Sequence, residues 1–411
     1  MYISNLACVA CGKKLLPGLN YNCPDCGGIL TVEYHYERID KDKLRRDLER
    51  PIESIWQYKA LLPIENETNI VSLREGATPL LEVGNLGEEY GFESVMVKDE
   101  TRNPTGSFKD RPTCVGISKA IELGVETVTI ASSGNAAAAV AGYSAKAGIK
   151  SFVFVPESTP LGKVCQALTY GARIIKVKGN YSNSFRLALE ATKKYNWANL
   201  TSTFLNPYTV EGDKTVAYEL YYQLNGEVPD YVVVPIGAGP LLHGILKGYR
   251  ELEALGFIRK TPAMVGVQAE RCSPIVQAYE SNSQTVKSSE IGSTIASGIA
   301  DPLIGYEQDG TLTLKAICES KGIAVSVSEE EIADAVHELG SKEGLYAEPT
   351  GATCWAGYKK LLKENRITGD DSAVLMLTGH GLKQPLAGSA QDEEIPVVVP
   401  NLSALEEQID L

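Results

Sequence analysis

The chain has 411 residues, a formal net charge of -13, 44% apolar and 22% charged residues. That length supplies two or three domains with sizeable cores, the balance is that of a soluble globular protein, and the acidity argues against a nucleic-acid or anionic-membrane partner. The longest apolar run, 232–245, is broken by Pro235, Gly237, Gly239, Pro240 and His243, so no membrane span is expected. The N-terminus has no basic stretch followed by an apolar one, which predicts a cytoplasmic protein without a signal peptide.

In chain order, the first unit is 1–34. Cys8-Val9-Ala10-Cys11-Gly12 and Cys23-Pro24-Asp25-Cys26-Gly27 form two CxxC knuckles separated by eleven residues. Each knuckle ends in a glycine free to take a tight turn, so four thiolates can converge tetrahedrally on structural Zn2+. The competing reading is a redox pair, which tandem knuckles disfavour. Filled by four protein ligands, such a metal has no open position for catalysis, and the ribbon reads as a structural appendage. Cys114, Cys165, Cys272, Cys318 and Cys354 are scattered singly and read as small buried hydrophobes.

Residues 35–93 form a segment expected to pack on the larger domain, charged and helical over 39–69 with Pro51 and Pro63 as punctuation. Beyond it, short Val/Ile-rich runs alternate with amphipathic stretches. Strands are expected at 94–98, 127–132, 151–155, 172–177, 231–234, 263–268 and 373–377, and helices at 111–124, 135–148 and 162–171. Continuous apolar strands separated by helices predict an α/β protein with parallel sheets covered on both faces. The expected division is a small α/β domain at 94–204, a large one at 205–390, and an acidic tail at 391–411.

Ligands of parallel α/β domains bind beyond the carboxyl ends of the strands, and the unusual loops fall there. Lys109 closes the turn Asn103-Pro104-Thr105-Gly106-Ser107-Phe108 where a helix should begin, placing an amine to attack a bound carbonyl. Ser132-Ser133-Gly134-Asn135 ends one strand and opens a helix, an anion-binding arrangement. Gly237-Ala238-Gly239 follows another strand and reads as a phosphate cradle, although a lone GxG is a weak signal. Thr378-Gly379-His380-Gly381 ends the last strand, with His380 as much a loop histidine as a catalytic one. His35, His243 and His337 carry no pattern of their own.

The knuckles, VKDETRNPTGSFKDR, ASSGNAAAAVAGYSAKAG, LNPYTVEGDKTVAYEL, GVQAE and LTGHGLK stand in an order that resembles the threonine synthase branch of the fold-type II pyridoxal-phosphate (PLP) enzymes, over nearly the whole chain. The resemblance implies a tryptophan synthase β-like fold of two α/β domains, a homodimer, a small amino-acid substrate, and elimination or replacement at its β or γ carbon. It implies that Lys109 carries pyridoxal 5'-phosphate and moves protons. Asn135 would hydrogen-bond the phenolic oxygen, Gly237, Ala238 and Gly239 the phosphate, and Thr378 would face the ring nitrogen. Ser133 and Ala136 would take the substrate carboxylate.

The departures bear on the substrate. Where the family has an N-S-x-N-P-Y-R segment gripping the phosphate of O-phosphohomoserine, this chain has Thr203, Phe204 and Thr209 in place of Asn, Ser and Arg, and keeps Asn206, Pro207 and Tyr208. An arginine fork is the strongest phosphate donor set, so a less anionic distal pocket is expected. Lys163, Lys214 and Arg186 are candidate substitutes. The stretch 294–302, TIASGIADP, leans toward serine/threonine dehydratases. The default is therefore a threonine synthase-type lyase. The alternatives are an ammonia-lyase or β-replacement enzyme on an unphosphorylated amino acid, or a zinc-ribbon binding module on a degenerate PLP fold.

Overall fold

The computed structural model describes residues 2–289, 292–386 and 398–406. At the N-terminus, β1 (Ile3–Cys8), β2 (Lys14–Leu15) and β3 (Leu30–Tyr34) form a small antiparallel sheet in the order β2-β1-β3. Gly12 and Gly27 close the two knuckles at φ +73°, a left-handed conformation that a side chain would strain. Next come α1 (Lys41–Glu49), started by Asp40 capping the amides of Asp42 and Lys43, and a 3-10 turn at Ile55–Leu61. The helical pattern expected across 39–69 is thus a single α-helix followed by 3-10 turns, because Pro51 and Pro63 interrupt it.

The body follows as β4 (Leu80–Glu82), α2 (Gly84–Tyr90), β5 (Val95–Asp99), α3 (Asp110–Glu122), β6 (Thr127–Ala131), α4 (Asn135–Ala147) and β7 (Lys150–Pro156). Then come α5 (Leu161–Thr169), β8 (Arg173–Val177), α6 (Tyr181–Tyr195), β9 (Ala198–Asn199), α7 (Pro207–Asp213), α8 (Thr215–Gln223), β10 (Tyr231–Pro235) and α9 (Pro240–Leu255). The chain continues through β11 (Ala263–Ala269), α10 (Pro274–Glu280), α11 (Glu307–Glu319), β12 (Ile323–Val327), α12 (Glu329–Glu343), α13 (Pro349–Lys363) and β13 (Ala373–Leu377). A short α14 (Leu402–Glu406) lies in the acidic tail, whose residues 391–397 and 407–411 fall outside the described residues.

Two larger sheets organise this body. One has the order β12-β11-β10-β13-β5-β4, parallel except for the edge strand β4. The other is wholly parallel, in the order β8-β7-β6-β9. Strands buried on both faces need apolar residues throughout: every residue of β13 (Ala-Val-Leu-Met-Leu) is buried, each larger side chain contributing roughly 1.5–3 kcal/mol. Strand 95–99, grouped from sequence with residues 94–204, is hydrogen-bonded between β13 and β4 in the six-stranded sheet. Its core partners are Val233, Val265 and Leu375, whereas α3 packs its Val115 and Ile117 with Val128 and Val153 of the other sheet. The chain changes sheets in the loop that carries Lys109.

Candidate active site

The loop after β5 is fixed by its own polar side chains. Gly106 adopts φ +84° and its amide donates to the Asn103 carbonyl at 2.8 Å. The Thr105 amide and hydroxyl donate to Asp110 at 3.1 and 2.9 Å. The loop is sewn to the last strand's loop, with the Phe108 amide donating to the Thr378 carbonyl at 3.0 Å and the His380 amide to the Gly106 carbonyl at 3.1 Å. Lys109 is therefore held at the threshold of α3, its amine donating to the Ser202 hydroxyl and lying 4.2 Å from the Phe108 ring centroid. Burial lowers this amine from 10.5 to about 8, against the pull of Asp213, Asp301 and Glu348.

Behind the lysine, Arg111 is wholly buried in a carboxylate cluster. Its guanidinium donates to Glu100 at 2.7 and 2.7 Å and to Glu219 at 2.6 and 2.8 Å, while Lys98 donates to Glu219 at 2.7 Å. Burial alone would raise the Glu219 carboxyl, but Arg111 and Lys98 hold it down to about 2. This cluster anchors the first turn of α3, hence the backbone of Lys109.

The other residues expected around the lysine follow the ends of β6, β10 and β13. Asn135 opens α4, and its amide nitrogen donates to Glu348 at 2.8 Å. Gly379 makes that contact possible: a Cβ there would lie 2.3 Å from Glu348 Oε1 and 2.9 Å from Asn135 Nδ2. Thr378 is 2% exposed and its hydroxyl has no partner among the described residues, a state that costs free energy unless a ligand supplies one. Gly239 caps α9 at φ +92°, and a Cβ there would lie 2.3 Å from Thr313, whose hydroxyl donates to the Ala238 carbonyl at 2.6 Å. Gly237 stands beside Asp301. On the asparagine loop Ser133 is half-buried, whereas Ala136 is buried in the first turn of α4.

The distal segment is arranged differently. Thr203 Oγ1 accepts from the Leu205 amide at 3.2 Å, and the Phe204 amide donates to Asp309 at 2.9 Å. The Phe204 ring packs with Ile29, Val210 and Leu312 and meets His243 edge-on. The Thr209 hydroxyl donates to the Asn206 carbonyl at 2.8 Å inside its own helix. It is Ser202, one residue before this trio, that meets the Lys109 amine. Of the candidate cations, Lys214 is consumed by Glu211 at 2.6 Å and Glu251 at 2.9 Å with no exposure, and Lys163 and Arg186 lie on exposed helix surface. Lys383 is the half-buried cation nearer the site, donating to Gln166 at 2.8 Å and acting with Lys163 on Glu348. His380 accepts the Leu382 amide at 3.1 Å and serves its loop.

Sequence reasoning missed Ser202, Asp213, Asp301, Glu348 and the Arg111 cluster. Asp213 and Glu348 are both buried and pushed up to about 7 by burial, despite the opposing pull of Lys109 on each. Asp213 lies in the quoted EGDKT stretch, and Glu348 caps α13 ahead of Pro349, so position in the chain was the only available signal. In the ribbon, the sulfurs of Cys8, Cys11, Cys23 and Cys26 all lie within 4.8 Å of one another, with the closest pairs at 3.4, 3.5 and 3.6 Å. Four thiolates around one tetrahedral ion at ~2.3 Å would stand about 3.8 Å apart, so the donor set suits a metal. Among the described residues, no helix is long and apolar enough to cross a membrane.

The pyridoxal-phosphate dependent enzyme family matches residues 71–379. The chain is 43% identical over 390 residues to the threonine synthase of Methanocaldococcus jannaschii, covering 94% of this chain and 95% of that one. It is 40% identical over 407 residues to the threonine synthase of Methanosarcina acetivorans, covering 98% of each. Among solved structures it resembles the threonine deaminase of T.th., with a TM-score of 0.62 and 27% identity over 74% of this chain and 92% of that one. The likeness therefore runs through the ribbon as well as the catalytic body, and the chain belongs to the threonine synthase family of pyridoxal-phosphate-dependent enzymes.

Proposed function

We propose that this chain removes the α-proton of a bound amino acid and then eliminates or replaces a group further along its side chain, with O-phosphohomoserine and water as substrates and threonine and phosphate as products. One observation carries the reading. A lysine amine lowered to about 8 stands in a loop bonded to that of Thr378, whose buried hydroxyl has no partner among the described residues, and Gly239 of the nearby turn leaves no room for a Cβ. These features suit the group implied by the family: Lys109 would hold its carbonyl carbon, residues 237–239 its phosphate, Asn135 its phenolic oxygen and Thr378 its ring nitrogen. When bound, pyridoxal phosphate supplies an electron sink that makes the hydrogen beside an amino acid's carboxylate acidic.

The protein's own groups supply the rest. With its pKa brought down to about 8, the Lys109 amine is neutral far more often near neutral pH than an ordinary lysine, so it can both take and return a proton. Ser202 accepts from that amine and fixes its direction. The Thr378 hydroxyl would give the ring nitrogen a neutral partner, which would moderate the sink compared with a carboxylate. Ser133 and the first amides of α4 offer donors for the substrate carboxylate.

A second reading rests on the distal segment. Thr209 is satisfied within its helix, Phe204 is packed among apolar side chains, and Asp309 places a carboxyl beside them. That wall suits an uncharged side chain, as in a serine or threonine ammonia-lyase. The deciding experiment sets phosphate release from O-phosphohomoserine beside keto-acid formation from serine and threonine, all with PLP-loaded protein. Phosphate with threonine supports the first reading, keto acid alone the second, and neither product sinks both. We further propose that the four thiolates hold one Zn2+ per chain. Elemental analysis giving no metal in freshly purified protein would refute it.

A further inference from the structure

The ribbon is tied to one particular stretch of the body. The Tyr21 hydroxyl donates to the Trp197 carbonyl at 3.2 Å and accepts the Asn199 amide at 2.8 Å. The Tyr208 hydroxyl accepts the Gly18 amide at 2.8 Å and donates to the Gly18 carbonyl at 3.0 Å. Segment 197–208 is thus pinned at both ends by the ribbon loop 18–21, and Ser202 lies between the pins.

The intervening bonds are continuous. Asn199 is a hub, its side-chain oxygen accepting the Thr201 amide at 2.9 Å and its carbonyl accepting Asn206 Nδ2 at 2.9 Å. Thr201 Oγ1 in turn accepts the Ala131 amide at 3.1 Å, at the end of the strand leading to the asparagine loop. Asn206 caps α7 through the Tyr208 amide at 3.0 Å. On the ribbon side, Tyr21 precedes Asn22, which bridges to Ile29 and donates to the Gly27 carbonyl at 3.1 Å within the second knuckle.

We propose that the cysteine ribbon is a positioning element of the reaction, holding Ser202 against the Lys109 amine through Tyr21 and Tyr208. Tyr21 touches no reacting atom and acts through Asn199. The part assigned to Lys109 rests on the function proposed above, but the contact itself does not need the cofactor.

The test is a cycle of Tyr21→Phe and Ser202→Ala. The pH midpoint of Lys109 labelling by trinitrobenzenesulfonate is read by mass spectrometry on cofactor-free chain, and kcat and KM on loaded enzyme. Removing an acceptor from an ammonium favours its neutral form, so each single variant should lower the midpoint by about half a pH unit. Tyr21→Phe should add no shift in the Ser202→Ala background, since the two act through one contact. In the loaded enzyme kcat should fall about fivefold with KM little changed. Tyr208→Phe, which loosens the other end, should behave likewise and carries the test where Tyr21→Phe does not fold. An unmoved or raised midpoint in folded protein, or shifts that add across the pair, overturns the proposal. Wild-type protein that labels normally but makes no product from any amino acid would instead defeat the functional reading.

Discussion

Replacing Arg111 by methionine isolates what holds the first turn of α3 in place. The guanidinium makes four bonds to the Glu100 and Glu219 carboxylates, and two more to the hydroxyls of Thr215 at 3.0 Å and Thr78 at 3.1 Å, with no exposure on any charged partner. Methionine of similar length keeps the packing but leaves two buried carboxylates to share Lys98, which reaches Glu219 alone. Removing one partner of a buried ion pair costs about 3–5 kcal/mol, because the other charge stays desolvated. At about 2–4 °C per kcal/mol for a 150–250-residue unit, the unfolding midpoint should drop by about 6–20 °C. The assay is thermal unfolding by circular dichroism on cofactor-free protein, with Arg111→Met/Glu100→Leu beside it. Deleting a pair together is far milder than deleting one member, so the double variant should recover part of the loss. A midpoint within about 2 °C of wild type in Arg111→Met would refute the argument.

Three further outcomes are expected. Thr378→Val removes a buried hydroxyl that has no partner among the described residues, so cofactor-free protein should gain about 1–2 kcal/mol by urea unfolding while the loaded enzyme loses turnover; lost stability would mean the hydroxyl is satisfied. Gly239→Ala combines a φ of +92° with a collision against Thr313, costing about 1–3 kcal/mol; PLP titration should show weakened binding, and unchanged affinity would remove the cradle from the site. The depressed pKa of Lys109 means that the unfolded chain binds more protons between about 8 and 10.5, so wild-type stability gains from this group as pH rises through that window. Relative to wild type, folded but inactive Lys109→Ala should therefore be less favoured at pH 9.5 than at pH 7 in urea titrations, and a gap independent of pH would show that the amine is not desolvated.

The sequence revealed the site where chemistry is written into backbone geometry. Gly106, Gly134 and Gly379 mark turns at strand ends, and a lysine, an asparagine and a threonine at those turns can be found without coordinates. Ser202 could not be, because the neighbouring Thr203 and Phe204 are equally plausible from spacing and only the pairing of β9 with β6 decides which side chain faces the lysine. Asp213 ends α7 and Glu348 stands at the N-cap of α13, positions that no motif marks, and their burial comes from elements distant in the chain. The seven expected strands lie within a residue or two of observed ones, whereas β12 (Ile323–Val327) was not expected. The sheet that β5 joins was not expected either, since a parallel strand's partner depends on a crossover that no local pattern records. The proline-punctuated segment 39–69 misled for a related reason: its Ile55, Trp56, Tyr58 and Leu61 are core residues whose spacing suits a 3-10 turn as well as a helix.

The switch of sheets at Lys109 constrains how such a protein can be rebuilt. Gly237, Gly239 and Thr378 belong to the six-stranded sheet, while Asn135 and Ser202 belong to the four-stranded one, and the lysine sits on the strap between them. Neither half is a self-sufficient cassette. A chimera that imports one sheet from a relative would take Gly237, Gly239 and Thr378 from one parent and Asn135 and Ser202 from the other. Inheritance of new substrate preference by block exchange should therefore favour grafts limited to single loops, such as 202–209, over exchange of whole halves.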